Sequence, residues 1–149
     1  MRAQIAEALK AALKTQDKRR IGTLRLVQAA IQDRDIAHRG AGKDPVGDEE
    51  ILQILSKMVK QREESARAFE EGGRAELAAQ EREEIGIIKD FLPRQLGDEA
   101  VQQVCRQAIE TVGAEGLRDM GRCMAVLKEK YPGQMDFGKA SSVVKDMLK

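Results

Sequence analysis

Apolar residues recur every three or four positions along nearly the whole of this chain, and over no strand-length stretch do they alternate with polar ones. That period turns one face of a helix inward, so the expected fold is all-α. Ile5, Ala8, Leu9, Ala12 and Leu13 make a first inward stripe, over about Arg2 to Leu13. Ile21, Leu24, Val27 and Ile31, widened by Leu26 and Ala30, make a second, over about Lys18 to Ala37. Gly22 inside that helix costs about 1 kcal/mol relative to alanine, so close packing is expected there. Ile51, Ile54, Leu55, Met58, Arg62, Ala66 and Phe69 trace a third stripe, with Asp48 as its cap and Glu49 and Glu50 in its first turn. Gly72-Gly73 then turns the chain into a fourth helix from about Ala75, which should lie antiparallel to the third.

The fourth helix runs Ile85, Ile88, Phe91, Leu92 into Pro93. Proline disfavours helix at the residue before it, so the break is expected at Leu92–Pro93. Gly97-Asp98-Glu99 is a fresh start with acids in the first turn. The helices beyond it are shorter. One carries Val101, Val104, Cys105, Ala108, Ile109 and Val112, and closes at Gly113. The next starts at Gly116-Leu117-Arg118-Asp119 and ends at Tyr131-Pro132-Gly133. The last is capped by Asp136 and carries Ala140, Val143, Val144 and Met147. The expected organisation is a body of about four long helices over 1–93 and a three-helix tail over 94–149, joined by a short, fixed elbow.

Net charge is +1, but it is unevenly spread. Positions 1–46 hold ten Lys and Arg against five Asp and Glu, while 47–95 hold eight against twelve. A basic first third can meet phosphate, or it can meet the acidic middle of its own chain. Aromatic residues are 3% with no Trp, which argues against base-stacking platforms. No run approaches the ~20 apolar residues of a membrane span, and the N-terminus lacks a signal-peptide pattern. Cys105 and Cys123 match no zinc or redox spacing and are expected as reduced core thiols. A cytoplasmic protein without a membrane or metal partner is the expectation.

Little in the chain suggests catalysis. His38, the single histidine, stands at a helix end beside Arg39 and Gly40, where a surface role is expected. Glu63-Glu64, Glu70-Glu71 and Glu81, Glu83, Glu84 sit among arginines at helical spacing, which fits solvated faces with i,i+4 pairs. Gly40-Ala41-Gly42-Lys43 lacks the spacing and preceding strand of a phosphate loop. Lys14, Lys18, Arg19, Arg20 and Arg25 form the most distinctive surface, with Arg25 one heptad beyond Lys18. A phosphate-facing ridge and a helix start balanced by the acidic middle are the two readings of it.

Six stretches in order resemble the YqeY family. They are Thr23-Leu24-Arg25-Leu26, Lys60-Gln61-Arg62-Glu63-Glu64-Ser65, Gly73-Arg74-Ala75-Glu76-Leu77, Phe91-Leu92-Pro93-Arg94-Gln95-Leu96, Asp119-Met120-Gly121-Arg122-Cys123-Met124 and Asp136-Phe137-Gly138-Lys139-Ala140-Ser141. Gly97 and Gly116 depart from the family's usual residues at two helix starts. The family is similar to the C-terminal tail of GatB, a subunit of the glutamine-dependent amidotransferase that matures misacylated tRNA. Related tails are appended to some glutaminyl-tRNA synthetases.

The resemblance implies an all-helical, two-domain molecule with a tRNA contact. The implied partners are an amidotransferase or an aminoacyl-tRNA synthetase. The resemblance also implies a carbon–nitrogen ligase label with glutamine as amido-N donor, inherited from the complex. The residues themselves offer no catalytic set and no cofactor or metal site. The expectation is therefore a non-catalytic module that binds tRNA or joins an amidotransferase. An adaptor that binds protein and no RNA is the alternative. For RNA, the exposed cations singled out are Lys18, Arg19 and Arg25 in the second helix, and Arg118, Arg122, Lys128 and Lys139 in the tail. The oligomeric state is left open by the sequence.

Overall fold

The computed structural model describes residues 1–149, which form seven α-helices and no strand. By contact the chain divides into two compact units, Met1–Leu92 and Pro93–Lys149. The first holds α1 (Arg2–Thr15), α2 (Lys18–Gly40), α3 (Asp48–Glu71) and α4 (Ala75–Lys89). The second holds α5 (Asp98–Val112), α6 (Met120–Lys130) and α7 (Phe137–Leu148), with a 3-10 turn at Leu117–Asp119 leading into α6. No helix is long and apolar enough to cross a membrane.

In the first unit the stripes meet in one core. Ile5 and Ala12 of α1, Leu24, Val27 and Ile31 of α2, Ile51, Leu55 and Met58 of α3, and Ile85 and Ile88 of α4 are buried together. Each large aliphatic side chain buried there contributes about 1.5–3 kcal/mol. Asp17 caps α2 by accepting the Arg20 N–H at 3.1 Å. α3 and α4 form an antiparallel hairpin, turned at Gly73, whose φ of 73° lies in the left-handed region that glycine tolerates.

Local expectations fail in several places, each for a physical reason. Leu13 and Leu26 are 46% and 50% exposed and lie outside the core. Each sits one step beyond the edge of its stripe, and its helix has no neighbour on that side. A Cβ added at Gly22 would meet nothing within 4 Å, so no close packing inside the chain explains that glycine. Asp48 is the first residue of α3 rather than its cap. Gly47 holds the cap position, and Asp48 instead lies 3.4 Å from the Met1 amino group. α4 ends at Lys89, before the residue adjoining proline; the chain then tightens, with the Phe91 and Leu92 N–H groups donating to Ile88 O and Lys89 O while both side chains pack on the body core.

The glutamates of the middle pair mainly across the hairpin rather than along one helix. Arg62 meets Glu84 at 3.0 Å, Lys89 lies 3.9 Å from Glu63, and Arg82 is paired with Glu70. Facing acid and base on antiparallel helices brings residues far apart in sequence into contact, which no spacing within one helix reveals.

The second unit has its own core of Cys105, Ala108, Cys123, Leu127, Met135, Ala140 and Val144. Gly113 closes α5 at φ 70°, and Asp136 caps α7 through the Gly138 N–H at 2.9 Å. The stretch after the proline is tied to this unit. The Leu96 N–H donates to Gln134 O at 2.8 Å, and Gln95 Nε2 donates to Gly133 O at 2.7 Å.

Candidate nucleic-acid interface

The seven cations singled out from the sequence separate by helix face. In α2 the buried residues Thr23, Leu24, Val27 and Ile31 fix the rotation. That rotation leaves Lys18 and Arg25 on the outward face, both exposed. Arg19, one residue on from Lys18, points sideways to α4. Its guanidinium lies 3.3 Å from Glu83 and 3.9 Å from Glu84. Arg20 lies 3.3 Å from Asp90. The basic start of α2 is therefore partly balanced by the acidic middle, which takes Arg19 and Arg20 and leaves Lys18 and Arg25.

Glu84 joins three helices. It accepts from Arg62 Nε of α3 at 3.0 Å and also faces Arg19 of α2. Arg62 is nearly enclosed, at 14% side-chain exposure, and its Nη1 donates to Met58 O at 3.2 Å. A guanidinium enclosed in this way needs its carboxylate, so the role of Glu84 is to hold the body together.

In the tail, Arg118 and Arg122 flank Asp119. The Glu115 N–H donates to Asp119 Oδ2 at 3.0 Å. That hydrogen bond, with the two arginine charges, holds the Asp119 carboxyl below its usual range. Arg122 also donates to Val112 O at 2.7 Å, placing a cation on the carbonyl end of α5. Arg118 is exposed in the 3-10 turn. Lys128 on α6 and Lys139 on α7 are exposed and form no ion pair.

Lys139 lines an open groove of about 440 Å³ between α5 and α7. Leu96, Val101, Met135 and Val143 give it an apolar floor, Gln95, Gln102 and Ser142 add polar groups, and the carboxylates of Asp98 and Asp136 line it together with Lys139. The sequence reading missed this groove. Its walls come from two stretches far apart in the chain, 95–102 and 135–143, and only the Asp136 cap that opens α7 is a local signal for it.

The remaining reactive side chains are committed elsewhere. Cys105 and Cys123 are fully buried and form no disulfide, and burial pushes both thiols up. His38 is more enclosed than a helix-end residue was expected to be, at 13% side-chain exposure. Its Nδ1 lies 2.9 Å from Asp44 O and its Nε2 lies 3.0 Å from Glu50, so it fastens the α2–α3 loop to α3. Asp35 fastens the same loop to α2 and to Arg2 of α1. It accepts both Nη atoms of Arg2 at 2.8 and 2.7 Å and the Val46 N–H at 2.9 Å. The Arg2 hydrogen bonds, followed by that from Val46, lower its carboxyl to about 2. No group of three or more His, Cys, Asp and Glu is placed to hold a metal ion.

Set against known proteins, residues 2–148 match the family model described as Yqey-like protein. No curated protein matches the chain.

Proposed function

The chain belongs to the YqeY-like family over residues 2–148, and from that premise we propose that it is a non-catalytic helical module whose tail contacts tRNA. The observation that carries this reading is a set of exposed cations outside any ion pair, Lys128 and Lys139 in the tail as well as Lys18 and Arg25 in the body. Arg19, Arg20 and Arg62 of the body are engaged by carboxylates. Arg118, Lys128 and Lys139 of the tail are exposed, the two lysines outside any ion pair. Cations left uncompensated are the ones that can release counterions from a phosphate backbone. The resemblance of the tail to that of GatB supports tRNA as the nucleic acid. It also supports an amidotransferase or aminoacyl-tRNA synthetase as the protein that acts on the same tRNA.

Buried thiols with raised pKa values are poor nucleophiles. A histidine spent on a loop is not poised as a base. Both support a module that holds RNA while another protein supplies any ligase chemistry.

The test is charge reversal on the full chain. K128E and K139E together should weaken tRNA binding about tenfold or more, while R19E should unsettle the body and leave tail-directed binding intact where the protein stays folded. Unchanged tRNA affinity in K128E/K139E contradicts the reading.

A second reading is favoured by the α5–α7 groove, whose apolar floor and rim of amides, two carboxylates and Lys139 suit an extended peptide of a protein partner. Under that reading V143E abolishes partner capture and K128E has no effect.

A further inference from the structure

α2 carries a second ordered face, opposite the one that enters the core. Lys18, Gly22, Arg25, Leu26, Ala29, Asp33, Ile36 and Gly40 are all exposed along it. Gly22, Ala29 and Ile36 are one heptad apart, so they lie in a single line along a helix that extends over Lys18–Gly40. Three features of this line lack an explanation within the chain. Gly22 leaves open space where its side chain would be. Ile36 and Leu26 are 57% and 50% exposed, two of the four large apolar side chains left in solvent. Arg25 and Asp33 are exposed, and neither is engaged by another charge of this chain.

We propose that the outward face of α2 pairs antiparallel with the same face of a second copy of this chain, about a two-fold axis at Ala29. Under that symmetry each position meets the one equally far beyond Ala29 on the other copy. Gly22 then faces Ile36 of the partner subunit, both about 10.5 Å along the helix from the axis at ~1.5 Å per residue. The missing side chain of one position accommodates the exposed one of the other. Arg25 faces the partner's Asp33, each about 6 Å from the axis, and the pair occurs twice. Lys18 reaches the partner's Gly40, where the last carbonyls of α2 present the negative end of its dipole. Ala29 at the centre keeps the two backbones close.

Charge complementarity also separates a second copy from a polyanion. Lys18 and Arg25 would suit phosphate, but Asp33, Leu26 and Ile36 on the same face would not. The pairing uses the body alone and does not rest on the tRNA reading of the tail.

The experiment is sedimentation of the full chain over a concentration series, with R25D, D33R and their equimolar mixture. The wild type should show a concentration-dependent dimer. R25D alone sets carboxylate against carboxylate across the axis, and D33R alone sets guanidinium against guanidinium. Each should weaken association about tenfold or more. Their mixture should restore it, since only the heterodimer pairs every charge. I36E should remain monomeric with an unchanged helical circular dichroism spectrum. As a second measurement, A29C should form an interchain disulfide under mild oxidation, since Cys105 and Cys123 are buried and do not compete. A wild type that stays monomeric at the highest concentration, or a mixture that fails to associate, overturns the proposal. Loss of tRNA binding in R25D, without rescue of association in the mixture, would make this face an RNA surface and overturns it equally.

Discussion

Arg62 of α3 donates through Nε to Glu84 of α4 at 3.0 Å, and the two side chains retain 14% and 22% of their exposure. Glu84 is also the carboxylate that Arg19 of α2 approaches at 3.9 Å. Removing it leaves an enclosed guanidinium without its acceptor. Glu84→Ala should lower stability by about 2 kcal/mol, read as a shift of the urea midpoint. Loss of Arg19 should cost less than about 1 kcal/mol, as befits an exposed pair.

Asp35 makes stability depend on acid. Its folded carboxyl is held at about 2, first by the Arg2 hydrogen bonds and then by the Val46 N–H. A carboxyl whose folded pKa is depressed stabilises the fold above its unfolded value near ~3.9. That contribution fades as pH falls from there and is gone below about 2. Urea midpoints measured from about pH 7 to about pH 2 should therefore fall in this window. Asp35→Asn should be less stable than wild type near neutral pH, and the gap between them should close at the acid end of the series.

Gly22 offers a stabilising substitution. A Cβ there meets nothing within 4 Å, and the backbone is ordinary helix. Gly22→Ala should raise stability by about 1 kcal/mol, measured by thermal or urea unfolding of dilute protein. A loss of stability would mean that the outward face of α2 is covered within the chain.

The thiols report on the tail core. Cys105 and Cys123 are fully buried, and burial raises both pKa values. Reaction with an aromatic disulfide reagent should be slow in the native protein. It should accelerate over the denaturant range in which the tail unfolds. Rapid native labelling would contradict the buried placement.

These predictions also mark what could be read from the amino-acid order. Helix type and most inward stripes follow from periodicity, and Asp136 is a readable cap because a cap acts over two or three residues. The fate of Arg19 was not readable, since its partners Glu83 and Glu84 lie far along the chain on another helix. The same distance in sequence hid the hairpin pairing of Glu63, Glu70 and Glu84. Leu26 looks like a core residue until the rotation of α2 is known. For the candidate interface, Lys128 and Lys139 were visible as cations. That they stay outside ion pairs depends on which faces α6 and α7 bury, and the sequence leaves that to tertiary packing.

The most direct measurement is the salt dependence of tRNA binding by the full chain, by fluorescence anisotropy, against a generic duplex as competitor. Preferential binding to tRNA is predicted, with an affinity that falls as salt rises and a log–log slope of about 0.7–0.9 per phosphate neutralised. K128E/K139E should lower both the affinity and the slope. Equal affinity for the duplex, or binding indifferent to salt and to these two substitutions, would contradict a tRNA-contacting tail.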